Sequence, residues 1–181
     1  MALTLENRPE ARAIDSLEEL VRVLSRTSDP RDYSDAFSRL AVQPGALEPL
    51  CLWNPRHYAR QCLHRTREHE LLLICYEPGQ RTSIHDYDSQ QAWILPLQGN
   101  IQEERFTLSA DGSLELTGSK MLVLGTPVHM DTEGCIHRHS NMGPGRAITL
   151  NLYARPIRRW RVYDERTGHS SMAGTADQVG E

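Results

Sequence analysis

Long apolar runs, charge of one sign and paired cysteines are all scarce in this chain. The best apolar run, Leu71–Cys75, is only strand-sized, far short of the roughly 20 residues of a membrane-spanning helix. No membrane partner is expected. The opening stretch MALTLENRPEAR has no signal-peptide hydrophobic region, which makes the cytoplasm the expected compartment. Twenty basic residues stand against 24 acidic ones, a net charge of −4 with no basic stripe, so nucleic acid is not an expected partner either. The four cysteines, Cys51, Cys62, Cys75 and Cys135, show no CxxC spacing. They read as reduced thiols rather than as a disulfide framework or a structural zinc site.

What is present describes an ordinary globule. The 181 residues, 39% hydrophobic and 24% charged, suffice for one domain with a buried core, existing as a monomer or small homo-oligomer. Residues 1–50 read as a helical segment. Ser16 and Glu19 form a capping box, and Leu17, Leu20, Val21 and Leu24 share one helix face. After the breaker SDPRD, Tyr33, Ala36, Phe37 and Leu40 repeat the same spacing. Beyond residue 57 the period changes. HELLLICYEPG reads as a buried strand ending in a Pro-Gly turn, followed by AWILPLQG, NIQEERFTL, SLELTG, KMLVLG, GCIHRHS, RAITLNLYA and RWRVYDE. NPRHYARQCL is ambiguous: Asn54–Pro55 suits a helix start, whereas Tyr58, Arg60 and Cys62 alternate as in a strand. Many short strands imply a mainly β sandwich or small barrel over residues 51–168. The small, polar stretch 169–181 is expected to be a flexible tail.

Two strips carry the chemistry. Alternation along a strand sends i and i+2 to one face, so His85 and Tyr87 point together, as do Cys135, His137 and His139. Singly, each histidine reads as a satisfied polar residue at a strand end. Together, in a β-rich chain, the strips read as a metal site.

At this point the sequence resembles a known family. Gly79, His85, Tyr87 and Gly99 follow the outline of the first cupin motif, and Gly134, His137 and Asn141 match the end of the second. Within the cupins the text is most similar to cysteine dioxygenase and related thiol dioxygenases, in YAR (58–60), PGQRTSIHD (78–86), LQGNIQE (97–103), IHRHSN (136–141), LNLYARP (150–156) and YDERTG (163–168). The resemblance implies a small jelly-roll-like cupin barrel behind the N-terminal helices. It also implies an iron(II) centre on histidines, a small thiol amino acid and O2 as substrates, and a sulfinic acid as product. Carried over by position, His85 and His137 are metal ligands, Arg60 holds the substrate carboxylate, Tyr58 lines the pocket, and Tyr153 directs its hydroxyl at the reacting groups.

Three departures from the family stand out. Tyr87 occupies the place of the middle metal histidine. It is either a phenolate ligand, as tyrosine is on the haem iron of catalase, or a bystander that leaves the third place to His139. Cys135 is a weaker candidate favouring softer metals. Ala92 stands where animal relatives carry a cysteine cross-linked to the tyrosine. The family's Ser-His-Tyr relay appears as Thr149, Asn151 and Tyr153, and asparagine cannot exchange a proton near neutral pH as histidine can. The leading expectation is therefore a metal-dependent dioxygenase of L-cysteine or a similar small thiol carboxylate, with an altered metal site. The alternatives are a diverted cysteine-oxidising cupin of specialised metabolism using nickel or copper, a non-catalytic cupin that binds small carboxylates, and a zinc-dependent isomerase or hydrolase.

Overall fold

The computed structural model describes residues 12–87, 91–130 and 135–174. Two short helices open it, α1 (Leu17–Leu24) and α2 (Pro30–Ser38). The Ser16 side chain caps α1 by accepting from the Glu19 amide, and Asp29 caps α2 with Pro30 just inside. The SDPRD stretch thus starts the second helix, whereas the first ends earlier, at Leu24 with Ser25 as its cap. Tyr33, Ala36 and Phe37 are buried, as the spacing predicts, while Leu40 lies beyond the helix end.

Eleven strands follow: β1 (Ala59–Arg65), β2 (His69–Tyr76), β3 (Ile84–Tyr87), β4 (Ala92–Gln98), β5 (Ile101–Leu108), β6 (Leu114–Met121), β7 (Val128–Met130), β8 (Ile136–Asn141), β9 (Ala147–Ala154), β10 (Arg159–Tyr163) and β11 (Ser170–Gly174). They form two antiparallel sheets, ordered β1-β2-β9-β4-β7 and β11-β10-β3-β8-β5-β6, the mainly β cupin architecture that the sequence suggests. The 54–65 ambiguity resolves as a strand from Ala59 onward. Between β4 and β5 the chain reverses at Gly99 (φ +77°), where a Cβ would sit 2.5 Å from the Ala147 side chain. Only glycine fits that turn.

The central strands of the five-stranded sheet, β2, β9 and β4, are buried on both faces. Leu71, Leu73 and Cys75 of β2, Trp93 and Leu95 of β4, and Ile148, Leu150 and Leu152 of β9 pack against the helices. Their alternates Leu72, Ile74, Tyr76, Ala92, Ile94 and Tyr153 face the barrel interior. That double burial explains why HELLLICY is a continuous apolar run rather than an alternating one. It also explains the inward set on β9, where Thr149, Asn151 and Tyr153 alternate with the leucines that bind the helices.

Three features differ from the sequence reading. SLELTG and KMLVLG are not two strands: β6 runs unbroken through Gly118 and Ser119 because its pairing to β5 continues to Met121. Leu122–Gly125 then leave the sheet, tied by amides to Ile101 and Pro96 carbonyls. The three residues of β7 are too few to show a period. The stretch expected to be a flexible tail begins as β11, hydrogen-bonded along β10 from Tyr163↔Ser170 to Arg159↔Gly174. Residues 175–181 lie outside the described residues, as does Gly134 of the second motif.

Candidate metal centre

Register brings the two strips together. His85 on β3 stands directly opposite His137 on β8, and opposite residues of an antiparallel pair share a face. The rings of His85, Tyr87 and His137 form a triangle with centroid separations of 4.9, 4.5 and 5.1 Å. His139 joins through His137 at 5.2 Å. All four residues are buried.

Hydrogen bonds fix the imidazole tautomers. His85 Nδ1 lies 2.8 Å from the Ser83 carbonyl and His137 Nδ1 3.0 Å from the Cys135 carbonyl. A carbonyl only accepts, so each Nδ1 carries the proton and each Nε2 keeps a lone pair. A directed chain then ends on His85. Asn151 Nδ2 donates to the Tyr153 oxygen at 3.1 Å, the Tyr153 hydroxyl donates to the Tyr87 oxygen at 3.1 Å, and Tyr87 donates to His85 Nε2 at 2.9 Å. Thr149 shares the inward face of β9, but its buried hydroxyl has no hydrogen-bond partner. The expected three-membered relay is thus reduced to Asn151 and Tyr153, and extended instead through Tyr87.

The electrostatics suit a cation. Burial first, then the neighbouring imidazole, pushes His85, His137 and His139 each down to about 3, so all three are neutral, the form that ligates metals. Burial, reinforced by Tyr153, holds the Tyr87 phenol well above its ordinary value. A phenolate there requires a cation bonded to its oxygen. The Nε2 atoms of His137 and His139 are buried without hydrogen-bond partners, an expensive arrangement that a bound metal ion would relieve. Among the described residues no three His, Cys, Asp or Glu side chains are grouped so as to hold a metal ion, and the side chain packed against both His85 and His137 is Tyr87. Cys135 contributes its carbonyl to His137, and burial raises its thiol above the ordinary range, away from the thiolate that binds metals.

A cavity opens over this cluster, lined by Tyr58, Arg60, Tyr76, His85, Tyr87, His139, Asn151, Tyr153, Ile157 and Trp160, among others. Tyr58 stacks on Tyr76 at 5.7 Å. Ala92 pairs with Tyr153 across β4 and β9, so this position faces the tyrosine with only a methyl group. Sequence reasoning missed Tyr76, Ile157 and Trp160. Alternation in RWRVY puts Trp160 and Val162 on one face, but only the pairing Trp160↔Tyr87 says which side that face meets.

The outward faces brace the same strands. Asp86, between His85 and Tyr87, accepts from the Tyr163 hydroxyl at 2.7 Å. Arg138, between His137 and His139, is buried and pairs with Glu104 at 2.7 Å and Glu165 at 2.9 Å. A buried ion pair of this kind is weak evidence for stability, but it holds β8 against β5 and the β10–β11 turn.

Known proteins resemble this chain in sequence and in fold. Cysteine dioxygenase type 1 of zebrafish, Danio rerio, is 27% identical over 165 residues, 86% of this chain and 82% of that protein. The human protein of the same name is 29% identical over 104 residues, 56% of this chain and 52% of that one. The chain therefore matches about half the length of the human relative. Among solved structures, an uncharacterized Klebsiella pneumoniae protein with a double-stranded β-helix domain superposes with a TM-score of 0.52 at 15% identity, covering 71% of this chain and 87% of that one. A protein from Thermus thermophilus gives 0.51 at 18% identity, covering 60% of this chain and 93% of its own. These two likenesses concern the fold alone. The family model for "Cysteine dioxygenase type I" matches residues 36–166, and the chain belongs to that family of the cupin superfamily.

Proposed function

We propose that the protein is a thiol dioxygenase that converts L-cysteine or a similar small thiol carboxylate to the sulfinic acid, R–SH + O2 → R–SO2H. Sulfur loses four electrons, O2 gains four, and the thiol proton is retained by the acid. The observation that carries this reading is the pair of opposed imidazoles, His85 and His137, each with Nδ1 held by a backbone carbonyl so that Nε2 keeps the lone pair a metal ligand needs. Iron bound by these nitrogens and by Tyr87 would supply the redox centre at which thiol and O2 meet.

The chain's own residues supply the rest. Arg60 presents a planar fork of donors to the substrate carboxylate, and Tyr58 lines that side of the cavity. Tyr153, oriented by Asn151, holds its hydroxyl beside Tyr87 and toward the reacting groups. If Tyr87 and His85 both held the metal, the hydrogen bond between the Tyr87 oxygen and His85 Nε2 would be given up. Tyr153 can still donate to the Tyr87 oxygen. Asparagine orients this tyrosine without exchanging a proton, so the tyrosine pair, rather than an imidazole, controls proton position in the pocket.

A second reading has its own support: the buried, unpartnered Nε2 of His139 suits a centre of His85, His137 and His139 with Tyr87 protonated. A nickel or copper centre with a diverted product draws on the same tyrosine substitution, because an anionic ligand favours the oxidised metal. Metal analysis of protein purified without chelators tests the shared core of these readings. Stoichiometric transition metal, lost in both His85→Ala and His137→Ala, is the expected result. Protein free of metal under all loading conditions would instead support a carboxylate-binding cupin without catalysis.

A further inference from the structure

The Arg60 guanidinium carbon lies 5.6 Å from the centroid of the Trp160 ring. The two residues come from different sheets. Arg60 is on β1, the edge of the five-stranded sheet, and Trp160 is on β10, next to the edge of the other. Their contact spans the mouth of the cavity, and both line it. Trp160 is placed by its pairing with Tyr87 and is half-buried among interior residues. Arg60 as a residue is exposed, yet burial desolvates its guanidinium in the cavity, and without a platform its long side chain would sample many rotamers. It shares the cavity with the phenols of Tyr58, Tyr87 and Tyr153. Glu70 is held by Arg65 and by the Ile157 amide.

We propose that Trp160 is the specificity-determining platform of this site: its ring holds the Arg60 fork across the cavity mouth so that small thiols bearing a carboxylate are selected over those without one. This rests on the dioxygenase reading for the chemistry, but its selectivity for carboxylates stands apart from turnover. A guanidinium stacked on an aromatic face keeps its in-plane donors free for a bidentate carboxylate. The indole does not touch the reacting sulfur, so Trp160 is a positioning residue that acts through Arg60.

The test measures binding of L-cysteine and of cysteamine, which lacks the carboxylate, to metal-loaded protein by anaerobic calorimetry. A cation–π contact at a partly desolvated site corresponds to an effect of about 5- to 30-fold. W160L is expected to weaken L-cysteine by that factor, leave cysteamine within about twofold, and be largely rescued in W160F. In an Arg60→Ala background the same substitution should have no further effect. Where turnover is measured, KM for cysteine rises and kcat holds. If W160L does not fold, W160M removes the ring while keeping length and takes its place. Equal weakening of both thiols, or no change for cysteine, overturns the proposal. A wild-type protein that binds L-cysteine and consumes no oxygen would count against the dioxygenase reading and leave the Trp160 result to be judged on binding alone.

Discussion

Replacing Tyr87 with phenylalanine separates the two lives of its hydroxyl. In metal-free protein that hydroxyl donates to His85 Nε2 at 2.9 Å and accepts from Tyr153 at 3.1 Å, and Tyr87 is only 8% exposed. The variant keeps the ring and its packing but leaves His85 Nε2 as a buried acceptor with no donor. Stranding such a group costs about 1–3 kcal/mol; the Tyr153 hydroxyl also loses its acceptor, since Asn151 only donates to its oxygen. For a chain of this length 1 kcal/mol moves Tm by about 2–4 °C, so metal-free Y87F should melt about 2–12 °C below wild type in a scanning fluorimetry or circular dichroism experiment. With iron loaded, the phenolate reading adds a second difference: wild type carries a visible phenolate-to-iron(III) charge-transfer band in the oxidised protein, and Y87F does not. An unchanged melting temperature in the metal-free pair would refute the hydrogen-bond chain. An unchanged spectrum and metal content would remove Tyr87 from the ligand set and leave His139 in its place.

Other outcomes follow from the same geometry. Arg60→Ala should raise KM for cysteine about 10- to 150-fold, the loss of about 1.5–3 kcal/mol of charge-assisted hydrogen bonding, with little change for a thiol lacking the carboxylate; equal losses for both would contradict the assignment. Metal-stripped protein should lose stability as pH falls. The unfolded chain takes up protons at its histidines near 6.5, while His85, His137 and His139 resist down to about 3 in the folded state. Between those values the unfolded state binds more protons, so stability is full above about 6.5 and drains away toward 3. Thermal melts at pH 7.5 and 5.0 check this, and equal melting temperatures would contradict it. Leu73, fully buried between β2 and the helices, should cost about 2–5 kcal/mol as Leu73→Ala, read by denaturant titration with metal content unchanged; loss of metal would mean the helix-side core also shapes the site.

Much of this was legible in the residues because strand alternation is local. His85 with Tyr87, and His137 with His139, share faces by period alone, and the helical spacings around Leu20 and Phe37 mark the faces that dock on the barrel. What period cannot supply is register between distant strands. That His85 stands opposite His137, Tyr153 opposite Ala92 and Trp160 opposite Tyr87 is settled by pairing among β3, β8, β4, β9 and β10, and no short window contains it. The division of KMLVLG failed for a related reason, since Gly118 looks like a breaker until β5 continues beside it. The 169–181 stretch reads as polar and small, and an edge strand such as β11 needs only backbone partners to form. Trp160 was invisible as a site residue because an aromatic in RWRVY looks like core until its ring is found against Arg60.

The reaction itself is tested most directly by oxygen uptake. Iron(II)-loaded protein given L-cysteine under air should consume one O2 per cysteine, and mass analysis with 18O2 should find both labelled atoms in cysteine sulfinic acid. Neither signal should appear in His85→Ala or His137→Ala. Full metal occupancy and bound cysteine with no oxygen consumption, on iron, nickel or copper, would contradict the account.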